Sequence, residues 1–239
     1  MACTVKLLLD TLASTPSWKP RQKNEKVDAG FNASNSLEDF SNAMVYMFEV
    51  MEPEVDQVFP NLFIGNLKGI LSVELLKQLS ITHVLNLSAA TYKLGIPDVD
   101  PLIFGDIQYE EVVMNDFCSL EDGGVQFRKL KKCADMVNKF FSSREDAKVV
   151  VNCFAGLSRS SSAVLSYLIM YKDIPAVDAL MKVKTKRDIL PNSYNLANVA
   201  KIHNEKFKFE VENVFDVEKS AGDIQREKFY DFLRPIYDD

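Results

Sequence analysis

Residues that hold metals or build disulfide frameworks are scarce in this sequence. Its 239 residues include two histidines, His83 and His203, and four cysteines. The cysteines are Cys3, Cys118, Cys133 and Cys153. Their spacing fits neither a zinc site nor a compact disulfide framework, and it lacks the Cys-x-x-Cys pair of a thiol redox enzyme. We therefore predict no metal ion and no cofactor.

The chain also lacks an excess of basic residues and any long apolar run. It carries 28 Lys and Arg against 34 Asp and Glu, a net charge of −6, so no global field draws it to nucleic acid or an anionic membrane. No stretch approaches the ~20 apolar residues of a membrane span. The early run LLLDTLA is interrupted by Asp10 and has no basic flank, which argues against a signal peptide. We expect a cytoplasmic location, with the nucleus as the alternative.

The organisation of the chain favours one folded domain with two extensions. Residues 1–35 are predicted to be a flexible N-terminal extension, although TVKLLLDTLA could form a short helix. The domain is assigned to residues 36–208 and begins with an amphipathic helix over 36–51. That helix is expected to pack against the domain, the alternative being a partner-binding or dimer-forming role. Residues 209–239 are predicted to be a tail or an added helix.

From Val55 onwards, strand and helix patterns alternate. Apolar β-branched runs such as ITHVLNLS (81–88) and KVVVNC (148–153) indicate buried strands, and VQFRKLKKCADMVNKFFSS (125–143) indicates an amphipathic helix between them. This alternation predicts an α/β fold. We expect three layers, with a mainly parallel central sheet of four or five strands and helices on both faces.

The segment VVVNCFAGLSRSSSAVL (149–165) combines a strand, a loop and the start of a helix. Backbone N–H groups in such a loop, with the helix dipole, form a nest for anions and favour the ionised thiol of Cys153. Gly156 lets the loop curl, and the Arg159 guanidinium can grip two phosphate oxygens. Ser160 places a hydroxyl near the sulfur. The set suits attack on a phosphate ester through a cysteinyl-phosphate intermediate, whereas an isolated cysteine would read as a buried hydrophobe.

The stretch CFAGLSRSSSAVLSYLIMY resembles the signature of dual-specificity protein phosphatases, within the protein tyrosine phosphatase superfamily. Its Ala-Gly-x-Ser-Arg-Ser core, Ala155 to Ser160, is especially close to phosphatases that act on MAP kinases. The resemblance runs from about Glu54 to Phe207. We therefore identify the domain over 36–208, which includes the amphipathic helix at its start, as the catalytic domain. The first ~50 residues are too few for a kinase-binding regulatory domain, so the chain looks like the small atypical class.

The resemblance implies roles for individual residues. Cys153 would be the nucleophile, and Ser160 would assist release of its thiolate in the second step. The phosphate would be held by the Arg159 side chain and by backbone amides of the loop. The loop residues concerned are Phe154, Ala155, Gly156, Leu157, Ser158 and Arg159.

The family's general acid is an aspartate on a loop that follows the strand before the long helix. In this chain YEEVVMND places Asp116 in that position, where it would protonate the leaving group and then activate water. Asp122 is the second choice, because it lies closer to the helix, and Glu121 shares the same loop.

Two positions depart from the family pattern. Asn152 replaces the histidine that normally precedes the nucleophile, so we expect activity to survive at a reduced rate; the alternative is a low-activity pseudophosphatase scaffold that binds phosphoprotein. Tyr194 and Asn195 stand where the family has Gly-Phe, which is expected to alter a packing contact behind the loop without a catalytic role.

The expected substrate is a phosphoprotein. The loop interior has no lysine or second arginine of the kind that polyanionic substrates need, so we predict hydrolysis of phosphotyrosine and of phosphoserine or phosphothreonine, with a MAP kinase as one candidate substrate. Arg187 is predicted to be a secondary anion contact that favours doubly phosphorylated peptides, the alternative being a solvated helix face. We expect a monomer or weak homodimer.

Overall fold

The computed structural model describes residues 2–16, 37–88, 96, 98–114 and 124–210. The helices, in chain order, are α1 (Val5–Ser14), α2 (Leu37–Val50), α3 (Leu67–Leu71), α4 (Val73–Gln78), α5 (Val125–Ser143), α6 (Arg159–Lys172), α7 (Ala176–Lys184) and α8 (Ser193–Lys206). The strands are β1 (Val55–Phe59), β2 (Leu62–Gly65), β3 (His83–Asn86), β4 (Gln108–Glu111) and β5 (Val149–Asn152). Within these described ranges, no helix is both long enough and apolar enough to cross a bilayer.

The five strands form one sheet in the order β1-β2-β5-β3-β4. β1 pairs with β2 in antiparallel orientation, and the other three pairings are parallel. All four residues of β2, β3 and β5 are buried, as expected for strands covered on both faces. The prediction of a mainly parallel sheet in an α/β fold is confirmed.

Alternating residues of the buried strands face two separate cores, because side chains alternate across a strand. Leu62, Ile64 and Val151 join the larger core, whereas Phe63 and Val150 join the smaller one. The larger core also takes apolar side chains from α1 and α5 to α8. The smaller core takes side chains from α2, α3 and α4. Helices therefore cover both faces, which is the predicted three-layer arrangement.

The first helix corrects the prediction that residues 1–35 are a flexible extension. α1 packs against α7 and α8, and its side chains of Val5, Leu8 and Leu12 are buried. These positions recur every three or four residues and so form one apolar stripe. The stripe gives the segment enough buried surface to stay in place, and residues 17–36 lie outside the described residues.

Reciprocal hydrogen bonds tie the start of the chain to α8. The backbone N–H of Cys3 donates to Oδ1 of Asn204 at 2.8 Å, and Nδ2 of Asn204 donates to the Cys3 carbonyl at 2.8 Å. Burial raises the pKa of the Cys3 thiol to about 12. The N-terminal segment is thus an integral part of the fold, while the predicted tail from 211 onwards lies outside the described residues.

Candidate active site

Hydrogen bonds to its backbone carbonyls hold the loop that follows the central strand β5. We call residues 153–159 the phosphate loop. The Phe154 carbonyl accepts from the N–H of Leu67 at 3.0 Å, and the Leu157 carbonyl accepts from the N–H of Leu190 at 3.0 Å. The carbonyls between them accept from the Arg187 guanidinium, that of Gly156 at 2.9 Å and that of Ala155 at 3.3 Å.

These contacts fix the direction of the backbone amides. In a trans peptide the N–H points opposite to the preceding carbonyl, and no cis bond occurs in the described residues. The amides of Ala155 to Ser158 therefore point away from the groups that hold the carbonyls. Since α6 starts at Arg159, its positive dipole end adds to this arrangement. The result is the anion nest that the sequence predicts.

Gly156 is required by the path of the loop. Its φ of +68° lies in the left-handed region, and a Cβ atom there would come within 2.6 Å of both the Gly65 carbonyl oxygen and Arg187 Nη2. Any side chain would therefore displace the guanidinium or the backbone that supports the loop.

Cys153 and Ser160 meet as predicted at the base of the loop. The Cys153 side chain is 2% exposed and Ser160 is fully buried. Sγ of Cys153 lies 3.3 Å from Oγ of Ser160. A hydroxyl at this distance can donate a hydrogen bond to a thiolate.

The Arg159 side chain lies across the carboxyl ends of the neighbouring strands. Its Nη1 donates to the carbonyls of Met114 at 3.2 Å and Leu87 at 3.4 Å. These bonds hold the guanidinium between the phosphate loop and the segments that follow β3 and β4. The phosphate-binding role of the Arg159 side chain stays a prediction.

The structure contradicts the prediction for Arg187, which is neither a secondary anion contact nor part of a solvated helix face. The residue is 4% exposed. Its guanidinium forms an ion pair with Glu54 at 3.0 Å and another with Asp56, besides its bonds to the loop carbonyls. A guanidinium has five donors in a fixed fork, and here they join the edge of the sheet to the back of the phosphate loop.

Asn152 connects the nucleophile's strand to a buried polar network. Its Nδ2 donates to Oδ1 of Asn86 at 2.8 Å, and Asn86 Nδ2 donates to the Tyr109 hydroxyl at 2.9 Å. Burial raises the pKa of Tyr109 well above its ordinary value. No donor among the described residues reaches Oδ1 of Asn152. Asn152, which stands where we expected histidine, therefore makes one side-chain hydrogen bond, and its Oδ1 acceptor is unused within the described residues.

Further contacts to the loop come from residues to which sequence reasoning gave no polar role. Oγ of Ser158 accepts from the Asn195 amide at 3.0 Å and from the N–H of Asn192 at 3.3 Å. Gln126, at the start of α5, donates to Oδ1 of Asn195 at 3.0 Å. The polar run PNSYN (191–195) was the available signal, since buried amides need partners.

The proposed general acid lies outside the described residues. Residues 115–123 include Asp116, Asp122 and Glu121, so their assignment stays a prediction. Within the described part of the chain, no three histidine, cysteine or acidic side chains cluster as metal ligands.

Comparison with known proteins identifies the family. A family model described as "Dual specificity phosphatase, catalytic domain" matches residues 62–220, more than half of the chain. The chain belongs to this family. Dual specificity protein phosphatase 26 from Homo sapiens is 34% identical over 137 residues, which are 57% of this chain and 61% of that protein. The chain thus spans less than two thirds of the relative's length.

Solved structures agree on the fold. Human DUSP28 superimposes with a TM-score of 0.54 at 20% identity, covering 65% of this chain and 96% of the other. The Yvh1 phosphatase domain from Chaetomium thermophilum gives 0.53 at 21% identity, covering 66% and 100%. These two solved structures share the fold described above.

Proposed function

We propose that this protein is a cysteine-dependent phosphoprotein phosphatase that hydrolyses phosphotyrosine and also phosphoserine or phosphothreonine. One observation carries the proposal. Sγ of Cys153 contacts Oγ of Ser160 at the base of the phosphate loop, and the loop amides point away from the groups that bind the loop carbonyls. Arg159 completes the site with a permanent positive charge.

The reaction has two steps. The Cys153 thiolate attacks phosphorus, so that an S–P bond forms and the P–O bond to the substrate breaks. The leaving oxygen takes a proton from the general acid, for which we propose Asp116. Water then attacks phosphorus and gives its proton to the same carboxylate, while the S–P bond breaks. Ser160 donates a hydrogen bond to the departing sulfur, which stabilises the thiolate.

The substrate is a phosphoprotein in this proposal, and a phosphorylated MAP kinase is the first to test, because the Ala155–Ser160 core resembles that of phosphatases acting on those kinases. Since Arg187 is already paired with Glu54 and Asp56, we no longer propose a preference for doubly phosphorylated peptides. We propose a cytoplasmic protein that acts as a monomer or weak homodimer, with the nucleus as the alternative location.

A second candidate, a scaffold that binds phosphoprotein with little turnover, is favoured by one observation. Oδ1 of Asn152, next to the nucleophile, has no donor in the described part of the chain. The expected histidine could carry a positive charge that favours the thiolate, whereas Asn152 is a neutral amide bonded to Asn86.

The two candidates are separated by hydrolysis of para-nitrophenyl phosphate and of a phosphotyrosine peptide. We expect Cys153→Ser to lower kcat at least ~1,000-fold, since it removes the nucleophile. Cys133→Ser is the matched control, because Cys133 is a fully buried thiol in α5, and we expect a change below about twofold. Equal rates for the wild type and Cys153→Ser would support the scaffold instead.

The general acid is tested with the same two substrates. Asp116→Asn should slow the phosphotyrosine peptide far more than para-nitrophenyl phosphate, whose leaving group needs little protonation. Asp122→Asn is the matched comparison. If only Asp122→Asn shows this substrate dependence, the assignment moves to Asp122.

A further inference from the structure

A chain of buried polar side chains links the first turn of α5 to the phosphate loop. Nε2 of Gln126 donates to Oδ1 of Asn195 at 3.0 Å, and Nδ2 of Asn195 donates to Oγ of Ser158 at 3.0 Å. We call Gln126 and Asn195 the amide bridge. It joins three segments that are distant in sequence, and one of its ends lies in the loop that contains the nucleophile.

The bridge is enclosed by protein. Gln126 is 1% exposed and Asn195 fully buried, and Ser158 is also buried. Water cannot replace a lost partner at such depth, so these hydrogen bonds constrain the side chains that make them. An amide pair fixes both distance and direction, which an apolar contact does not.

Ser158 is held by two donors from α8 and its cap. Besides the Asn195 amide, its Oγ accepts from the N–H of Asn192 at 3.3 Å. Asn192 in turn caps α8, because its Oδ1 accepts from the N–H of Asn195 at 2.7 Å. A hydroxyl oxygen has two acceptor positions, and both are used here by neighbouring groups that are themselves fixed.

The place of Ser158 in the chain makes this connection relevant to chemistry. Ser158 is the N-cap residue of α6 and directly precedes Arg159. A rotation at Ser158 would redirect both its own N–H and the start of the arginine side chain. The position of the phosphate-binding groups therefore depends on what holds Ser158.

The bridge arises where this sequence departs from the family pattern. Asn195 stands where the resemblance leads us to expect phenylalanine, and a phenyl ring can neither accept from Gln126 nor donate to Ser158. The packing role expected from sequence thus becomes a directional polar link.

We propose that Gln126 and Asn195 are positioning residues that orient the phosphate loop through Ser158. The inference deepens the proposed function, because it assigns the amide bridge to the same oxyanion-binding loop. The bridge sets the affinity of the loop for a tetrahedral or trigonal-bipyramidal oxyanion, and it takes no part in bond making.

The test measures orthovanadate affinity of the full chain by inhibition and by calorimetry, together with kcat and KM for para-nitrophenyl phosphate. Asn195→Leu keeps the side-chain volume and removes both bonds, and we expect vanadate to bind about tenfold more weakly, since small displacements of binding groups are costly. The matched control is Asn198→Leu. Asn198 is buried in the same helix, and its Nδ2 bonds to the Tyr194 carbonyl rather than to the loop.

A purely structural role would give a different pattern. In that case Asn195→Leu and Asn198→Leu would lower Tm alike and leave vanadate affinity unchanged, which would overturn the inference. If Asn195→Leu does not fold, Ser158→Ala and Gln126→Leu decide, and each should weaken vanadate binding. When all three fold, the double variant Ser158→Ala, Asn195→Leu should lose no more affinity than the worse single variant; additive losses would contradict the bridge.

The outcomes separate this inference from the proposed function. A wild-type protein that hydrolyses phosphate esters, with vanadate affinity insensitive to Asn195, defeats only the inference. A wild-type protein without turnover whose vanadate affinity still depends on Asn195 supports the inference and defeats the proposed function. Failure of the wild type to bind vanadate at all overturns both.

Discussion

Polar groups lie at both ends of the parallel strands, in different surroundings. At the amino end, Thr82 Oγ1 accepts from the N–H of Lys148 at 2.8 Å and donates to its carbonyl at 3.0 Å. The His83 ring lies between the hydroxyls of Thr82 and Ser143 and stacks on Phe140. Each of these polar groups contacts another protein group.

At the carboxyl end, the polar groups leave capacity for a ligand. The anchored carbonyls turn the loop amides away from the protein groups that hold the loop. The comparison teaches that burial does not distinguish a structural from a functional polar group. What distinguishes the two ends is the direction of the backbone donors, which in the phosphate loop point away from the protein groups that anchor it.

The largest expected effect comes from an arginine at the carboxyl end. Arg159→Lys should lower kcat/KM at least ~100-fold, because an ammonium cannot bind two phosphate oxygens in a fork. Arg144→Lys is the matched substitution at the amino end, where Arg144 pairs with Asp146 on the surface. Steady-state kinetics should show no change for it, and a comparable loss in both variants would contradict the distinction.

The next effect concerns the network behind the nucleophile. Asn86→Leu removes the acceptor of the Asn152 amide, so unfolding free energy should fall by about 2 kcal/mol, and activity should fall with it. Thr82→Val removes a half-buried hydroxyl at the amino end. Urea denaturation should show a loss of stability for both variants, while only Asn86→Leu changes kcat. Unchanged kcat in Asn86→Leu would show that the network is structural alone.

A smaller effect is expected for the arginine behind the loop. In Arg187→Lys a single ammonium replaces a fork that serves two loop carbonyls and two carboxylates, so vanadate affinity should fall about tenfold. Inhibition constants measure this directly. Lys184→Arg changes a neighbouring cation that pairs with Asp188 and should leave vanadate affinity unaltered; equal loss in both variants would mean that the effect is one of general charge.

The smallest effect is a pH dependence at the amino end. Burial lowers the pKa of His83, and nearby Arg144 lowers it further, whereas Gln108 and Asp146 oppose the shift. The unfolded chain therefore takes up the proton at a higher pH, near ~6.5, than the folded protein. The contribution of His83 to the free energy of unfolding is fully present above that pH, and it is lost as the pH drops below it.

The variant His83→Gln removes this titration. Urea midpoints at several pH values between neutrality and the acid range should decline less steeply for His83→Gln than for the wild type. Parallel declines in the two proteins would show that other groups control acid stability.

Much of the fold was predictable because its signals are local. Buried apolar runs gave the strands β3 and β5, and the predicted helix over 125–143 coincides with α5. The contact of Cys153 with Ser160 also followed from spacing, since a strand, a short loop and a helix bring these residues together. The Gly156 conformation is a consequence of the same local path.

The errors concern contacts between distant parts of the chain. Arg187 looked like a surface cation because its partners Glu54 and Asp56 lie more than 130 residues earlier. The α1 segment has a readable apolar stripe, but nothing local says that α7 and α8 offer a surface for it. Asn195 was assigned only a packing contact, because Gln126 and Ser158 approach it only in the folded chain.

The match to the family model begins at residue 62, yet the packed structure begins at α1. A protein trimmed to the matched region would lose the edge strand β1 together with both carboxylates that anchor Arg187. It would also lose α1, whose apolar side chains pack against α7 and α8. We expect such a shortened protein to be poorly soluble and weakly active, so the boundary for expression work belongs ahead of α1.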